Sequence, residues 1–422
     1  MDTVSFQLGN GLTVLVRSSH HNPVVTVDAW VNTGSINEPL AINGVSHFLE
    51  HMLFKGTERR RANELDLMIE SVGGSWNAGT AKDFTHYYCT VASPHKRIAV
   101  DAVADMLQHS VLDAAELEKE RLVILEEYLR KQDNPGSLLW DEIYEVSYAS
   151  GPYRPTVLGS EESIRAITRD AMREYFERYY APANMAVVLT GDLTVAEARE
   201  LAEEFFGGWQ RRFEPYGSLD LVSPRLRGQC RTIERDVNDT YWAMSFPGPS
   251  VGNINDCLAM DLLEGVLAEG GASRMNLRLV EDLELAHGVG AGAVSHRHDG
   301  LFMVTGVLER QNLDALRAEA LSMIEELKQD GPTARELERV RTMLFTSLAF
   351  RTETTTGQSG QIGYFYTLTG GTRFEEEYLD RLMAITVEDV QRVAQVYLDP
   401  AITNDVIICP RTSPATSTAT PF

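Results

Sequence analysis

AITRDAMREYFERYYAPA (166–183) returns further along the chain as AITVEDVQRVAQVYLDPA (384–401). In this register Ala166, Ile167, Thr168, Tyr179, Pro182 and Ala183 recur as Ala384, Ile385, Thr386, Tyr397, Pro400 and Ala401. An apolar run follows each copy, MAVVLTGD (185–192) and NDVIICP (404–410). A second echo pairs ELEKERLVILEE (116–127) with ELERVRTMLFTS (336–347), in the same order and with a slip of two residues. Chance could supply one such match. Two in the same order imply one structural unit written twice. The length of 422 residues agrees, being too long for one ordinary core.

The unit mixes strands and helices. Val4, Phe6 and Leu8 alternate, Asn10-Gly11 marks a tight hairpin turn, and Leu12, Val14 and Val16 alternate again. VVTVDAWV (24–31) is nearly all apolar, as for a central strand. Helical patterns follow around 43–54, 62–72, 95–109, 114–131 and 161–180. The expected fold is α+β: two duplicated domains, over 1–215 and 225–410, each a mostly antiparallel sheet covered by helices. PYGSLDLVSP (215–224) would separate them, and RTSPATSTATPF (411–422) reads as a frayed tail.

Composition excludes several function classes. A net charge of −23 disfavours nucleic acid or an anionic membrane as partner, and fits either an acidic chamber or an ordinary acidic surface. No apolar stretch approaches the ~18–20 residues of a membrane span. The N-terminus lacks the pattern of a secretory signal, so a cytoplasmic location is the expectation. Cys89, Cys230, Cys257 and Cys409 are scattered and read as reduced thiols.

His47-Phe48-Leu49-Glu50-His51 carries the chemistry. Histidines at i and i+4 lie on one helix face, where both imidazoles can reach one Zn²⁺ at ~2.0–2.1 Å. Glu50 projects near the same face and can take a proton from a water that the metal acidifies. The surrounding GVSHFLEHMLF is mostly apolar, so an unpartnered His-Glu-His cluster there would be costly. A third ligand is needed. Helix 114–131 offers Glu116, Glu118, Glu120, Glu126 and Glu127. Glu120 and Glu127 share a face across Val123 and Ile124, but Leu122 and Leu129 make the Glu126 face apolar too, so spacing leaves the choice open. The second copy has no histidine near AMDLLEGVLAEGG (259–271), and Val340 and Ser347 stand opposite Glu120 and Glu127. The polar groups are therefore unlinked to the shared scaffold.

GVSHFLEHMLFKGT (44–57) resembles the zinc helix of the pitrilysin/insulinase family, the inverzincins. The likeness extends over essentially the whole chain. It is nearest to the short two-domain branch that includes the mitochondrial processing peptidase β subunit and bacterial relatives. The resemblance implies one half of a clamshell, one zinc per chain, Glu50 as general base, Glu127 as third ligand beside His47 and His51, and Glu120 as a supporting carboxylate of the catalytic machinery. It also implies that GGSWNAGTAKDFTHYYCTV (73–91) holds an edge strand onto which an extended peptide adds, with Asn77 and Ala78 facing the peptide backbone and Phe54 lining a side-chain pocket. His86 in this strand and His20-His21 are further candidate ligands by residue type, although lone strand or loop histidines seldom hold a metal.

One part departs from the family. In EGGASRMNLRLVEDLELAHGVGAG (269–292), an arginine and a tyrosine usually stand where this chain has Val280 and His287. The expectation is a zinc endopeptidase acting on unfolded peptides or presequences inside a closed chamber. The expected assembly is a dimer, either of two copies of this chain or a heterodimer with a related subunit that lacks HxxEH and supplies the Arg/Tyr pair. A maturation peptidase for one precursor and a non-catalytic scaffold subunit are the alternatives.

Overall fold

The computed structural model describes residues 2–216 and 223–411. The first half contains β1 (Val4–Gln7), β2 (Thr13–Ser18), β3 (Val24–Val31), α1 (Val45–Leu53), α2 (Glu64–Glu70), β4 (Ser75–Thr80), β5 (Thr85–Ala92) and α3 (Lys96–His109). It continues with α4 (Ala114–Asp133), α5 (Pro135–Ser147), α6 (Glu161–Ala166), α7 (Arg169–Tyr179), β6 (Met185–Gly191) and α8 (Val195–Phe206). The second half contains β7 (Cys230–Arg235), β8 (Thr240–Pro247), α9 (Ile254–Leu267), a π-helical segment (Asn276–Asp282), β9 (Gly288–Ser295) and β10 (Gly300–Leu308). It ends with α10 (Leu313–Asp330), α11 (Ala334–Arg351), α12 (Thr355–Thr369), α13 (Arg373–Ala384), α14 (Val387–Tyr397) and β11 (Asn404–Pro410).

The duplication is visible strand by strand. One sheet runs β1-β2-β6-β3-β5-β4 and the other β7-β11-β8-β10-β9. Without β1 the two orders match. The one parallel pair also recurs at the same place, β2 with β6 and β7 with β11. All other pairs are antiparallel. The apolar run 24–31 is central as expected, flanked by β5 and β6 and buried on both faces. The pattern over 161–180 is split into α6 and α7. Thr168 caps the second piece by accepting from the Ala171 N–H, so the chain restarts a helix there.

The halves exchange a helix each. Leu138, Leu139 and Ile143 of α5 pack with Ala243, Leu301 and Val406 of the second sheet. Its counterpart α12 sends Ile362 against Leu15, Trp30, Ala186 and Val188 of the first sheet. Gly363 makes this approach possible, because a Cβ there would lie 2.1 Å from the Trp30 ring nitrogen. Each buried aliphatic side chain in these layers stabilises the contact by ~1.5–3 kcal/mol. The expected boundaries at 215 and 225 flank residues 217–222, which lie outside the described residues, as does the 412–422 part of the expected tail. All four cysteines are free thiols. No helix among the described residues is long and apolar enough to cross a membrane.

Candidate metal centre

Helix α1 starts at Gly44, whose φ of 95° and close approach to the Leu158 carbonyl leave no room for a side chain. The buried Glu38 carboxylate caps it. Its oxygens accept from the Gly44 and Ser46 N–H groups, both at 2.7 Å, and from Asn43 Nδ2 at 2.8 Å. A negative group at a helix N-terminus also complements the helix dipole. Burial still holds the Glu38 pKa above its ordinary value. Val45, Phe48, Leu49, Met52 and Leu53 bury the core-facing side of α1. His47, Glu50 and His51 are thereby turned away from the core, toward α4 and β4.

Helix α4 delivers the carboxylates. Asp113 caps it through the Ala115 and Glu116 N–H groups. Leu117, Glu120, Ile124 and Leu125 form its buried stripe. Of the candidate third ligands, Glu116 and Glu118 pair with Lys119 and Arg121 on the surface, and Glu126 is exposed. Leu122, Val123 and Leu129 are exposed as well, so the apolar character expected of their faces does not mark burial. Glu127 is the one that converges with the histidines. His47 Nε2 lies 3.7 Å from Glu127 Oε1, and His51 Nε2 lies 3.7 Å from Glu127 Oε2. Ligand atoms of His47, His51 and Glu127 all fall within 4.8 Å of one another.

These distances fit a small divalent ion. Bonds of 2.0–2.2 Å at tetrahedral angles place ligand atoms about 3.4 Å apart. Two imidazoles and one carboxylate form a donor set suited to zinc and leave a fourth position open. Burial, with the neighbouring His51 and Lys131 charges adding to it, pushes the His47 pKa down to about 3. The ring is therefore neutral, with a lone pair for a metal. Its Nδ1 is buried without a hydrogen-bond partner among the described residues. Glu120 is buried between His51 Nδ1 at 3.2 Å and Lys55 Nζ at 2.7 Å. It fixes the His51 ring with Nε2 toward Glu127. Glu50 receives a hydrogen bond from Thr80 Oγ1 at 2.6 Å, and burial raises its pKa against that bond and the nearby His51.

Asn77 and Ala78 lie on β4, the last strand of its sheet. Strand β4 pairs only with β5, leaving its outer edge open among the described residues. Asn77 is exposed, and its side-chain oxygen accepts from the Ala78 N–H at 2.9 Å. Phe54 packs edge-on against Trp76, with ring centroids 4.7 Å apart. Among the described residues, the remaining candidates do not join the group formed by His47, His51 and Glu127. His86 pairs with Asp28 at 3.1 Å and stacks on Trp30, and His20 pairs with Asp192 on the surface. Val280 is partly buried against the second core, and His287 is exposed 3.5 Å from Asp239. Sequence reasoning missed Glu38, Thr80 and Lys55. Lys55 sits one helical turn beyond His51 and was within reach of a spacing argument. Glu38 and Thr80 reach α1 through loop and sheet geometry that leaves no sequence period.

An HxxEH helix joined to a distant glutamate on a duplicated α+β scaffold defines a class of zinc metallopeptidases. Residues 13–161 match the insulinase (peptidase family M16) domain, and residues 166–344 match the peptidase M16 inactive domain. The chain is 30% identical over 405 residues to the mitochondrial-processing peptidase subunit beta of Lentinula edodes, covering 93% of this chain and 86% of that one. It is 29% identical over 388 residues to an uncharacterized zinc protease, YmxG, of Bacillus subtilis strain 168, covering 92% and 93%. Its fold superposes on a protease from Helicobacter pylori with a TM-score of 0.91 at 24% identity, over 97% and 99% of the two chains. The chain belongs to peptidase family M16, the insulinase family.

Proposed function

We propose that this chain is a zinc-dependent endopeptidase that cleaves unfolded peptides or presequences held in a closed chamber. The observation that carries the reading is the convergence of His47, His51 and Glu127 beside the Glu50 carboxylate. His47, His51 and Glu127 would hold one zinc ion per chain. Zinc bound there would supply Lewis acidity and bring the pKa of water close to neutral. Glu50, adjacent to the cluster and held by Thr80, accepts the proton from the attacking water and passes it to the leaving amine. Burial raises its pKa, which favours taking up that proton. Glu120 acts through His51 and is a positioning residue.

The open edge of β4 lets an extended peptide pair as a further strand, which sets its backbone across the site. Asn77 would release the Ala78 N–H to that peptide, and the Phe54 ring beside Trp76 would line a side-chain pocket. Val280 and His287 offer neither a guanidinium nor a phenol. A related subunit lacking HxxEH would supply them as the other half of a clamshell heterodimer. This part of the reading is supported by the relative named as a subunit. Hydrolysis of quenched peptides tests the activity. It should stop on zinc chelation, return with added zinc, and rise when a related HxxEH-lacking subunit is present. Cleavage that persists without metal would sink the proposal.

A further inference from the structure

The second half has its own counterpart of the metal centre. The registers of the two echoes set α11 against α4, with Val340 at the place of Glu120. His51 meets Glu120 in the first half. In the second half Val340 meets Gly265, where a Cβ would come within 2.3 Å of its Cγ1. Gly265 therefore stands for His51. One turn back along α9, Asp261 stands for His47, and Glu264 stands for Glu50. The strand contact agrees, because Glu264 accepts from the Ala293 N–H on β9 at 2.8 Å, much as Glu50 accepts from Thr80 on β4.

The space above these two carboxylates is a cavity of about 380 Å³, within the range of small-ligand sites. Tyr364, Phe365 and Tyr378 line it, with centroid separations of 5.4 Å from Phe365 to each tyrosine. Asp261 has no hydrogen-bond or ion-pair partner among the described residues. Arg351 is also on the wall, yet forms no ion pair with either carboxylate among those residues. Burial lifts the pKa of both Asp261 and Glu264 to about 7. A desolvated carboxylate without a partner is costly to keep ionised. Asp261 and Glu264 belong to no group of three or more His, Cys, Asp or Glu ligands close enough to share an ion among the described residues.

We propose that this cavity binds an organic cation, an alkylammonium or guanidinium group, with Asp261 and Glu264 as counter-charges and Tyr364, Phe365 and Tyr378 as an aromatic wall. An anion would be repelled by the acidic pair, and an apolar ligand would leave Asp261 unpaired. Aromatic faces attract cations and also cover an aliphatic stem. The cation can come from a free polyamine or from a lysine or arginine side chain of a bound peptide. The site is separate from the zinc cluster and stands whether or not the chain is a peptidase.

Isothermal titration of the full chain tests it, using cadaverine and a blocked peptide with one lysine, compared with the same peptide carrying norleucine. The account expects saturable binding of cadaverine, of the lysine peptide, or of both, and none of the norleucine peptide. D261N should weaken that binding by about tenfold or more, without lowering the melting temperature. Y378L removes no charge and should weaken it by about threefold, which keeps the test valid if D261N folds poorly. Binding should be unchanged in metal-stripped protein. Cadaverine binding alone identifies a free amine as the ligand, and lysine-peptide binding alone identifies a side chain. The proposal is overturned if neither cation binds, if D261N and Y378L both bind like wild type, or if removing the metal abolishes binding.

Discussion

The face of α1 and the equivalent face of α9 start from one plan and end with opposite chemistry. In the first half, burial keeps His47 neutral, and His51 is steered by Glu120. In the second, the corresponding places hold Asp261, Gly265 and Val340, and burial holds the acid toward its protonated form. Both halves nevertheless build the same sheet order, including the parallel pair. The shared scaffold therefore forms in the second half without the HxxEH cluster.

That contrast can be broken at several points. The largest effect is expected for H51A, which should lose zinc and all measurable cleavage while the fold persists. Metal analysis and circular dichroism would check it, and an unfolded variant would contradict the separation of site from scaffold. E120Q removes the charge that steers His51 and should weaken zinc affinity by about 10–100-fold, measured by competition with a chelator. The smallest effect concerns pH. Asp261 titrates near 7 in the folded chain and at its ordinary lower pKa when unfolded, so the folded state holds more protons in between. Its contribution to stability is complete at acidic pH and declines as pH rises toward about 7. D261N should lose its share of that slope in denaturant midpoints taken from pH 4 to 8. An unchanged slope would mean that Asp261 is well solvated.

Much of this was legible in the sequence, for identifiable reasons. The duplication could be read because helices α7 and α14 keep their capping threonines, Thr168 and Thr386, in one register. His47, Glu50 and His51 could be read because helical spacing alone puts them on one face. Spacing could not choose among the glutamates of α4, whose exposed Leu122 and Leu129 imitate a buried stripe. The family resemblance chose Glu127, and the structure brings that residue to the histidines. Helix α5 escaped the pattern reading. It is buried against the sheet of the other half, so no neighbouring element in sequence marks its apolar face. Glu38 and the cavity at Asp261 depend on contacts between distant segments, which no local period records.

In the proposed function Glu50 moves the proton while His47, His51 and Glu127 hold the metal. The most direct measurement is zinc content and peptide hydrolysis of E50Q beside wild type, each assayed with any partner subunit that wild type requires. The account predicts that E50Q keeps zinc and loses cleavage by about 10²–10⁴-fold. Equal cleavage by the two proteins would contradict it.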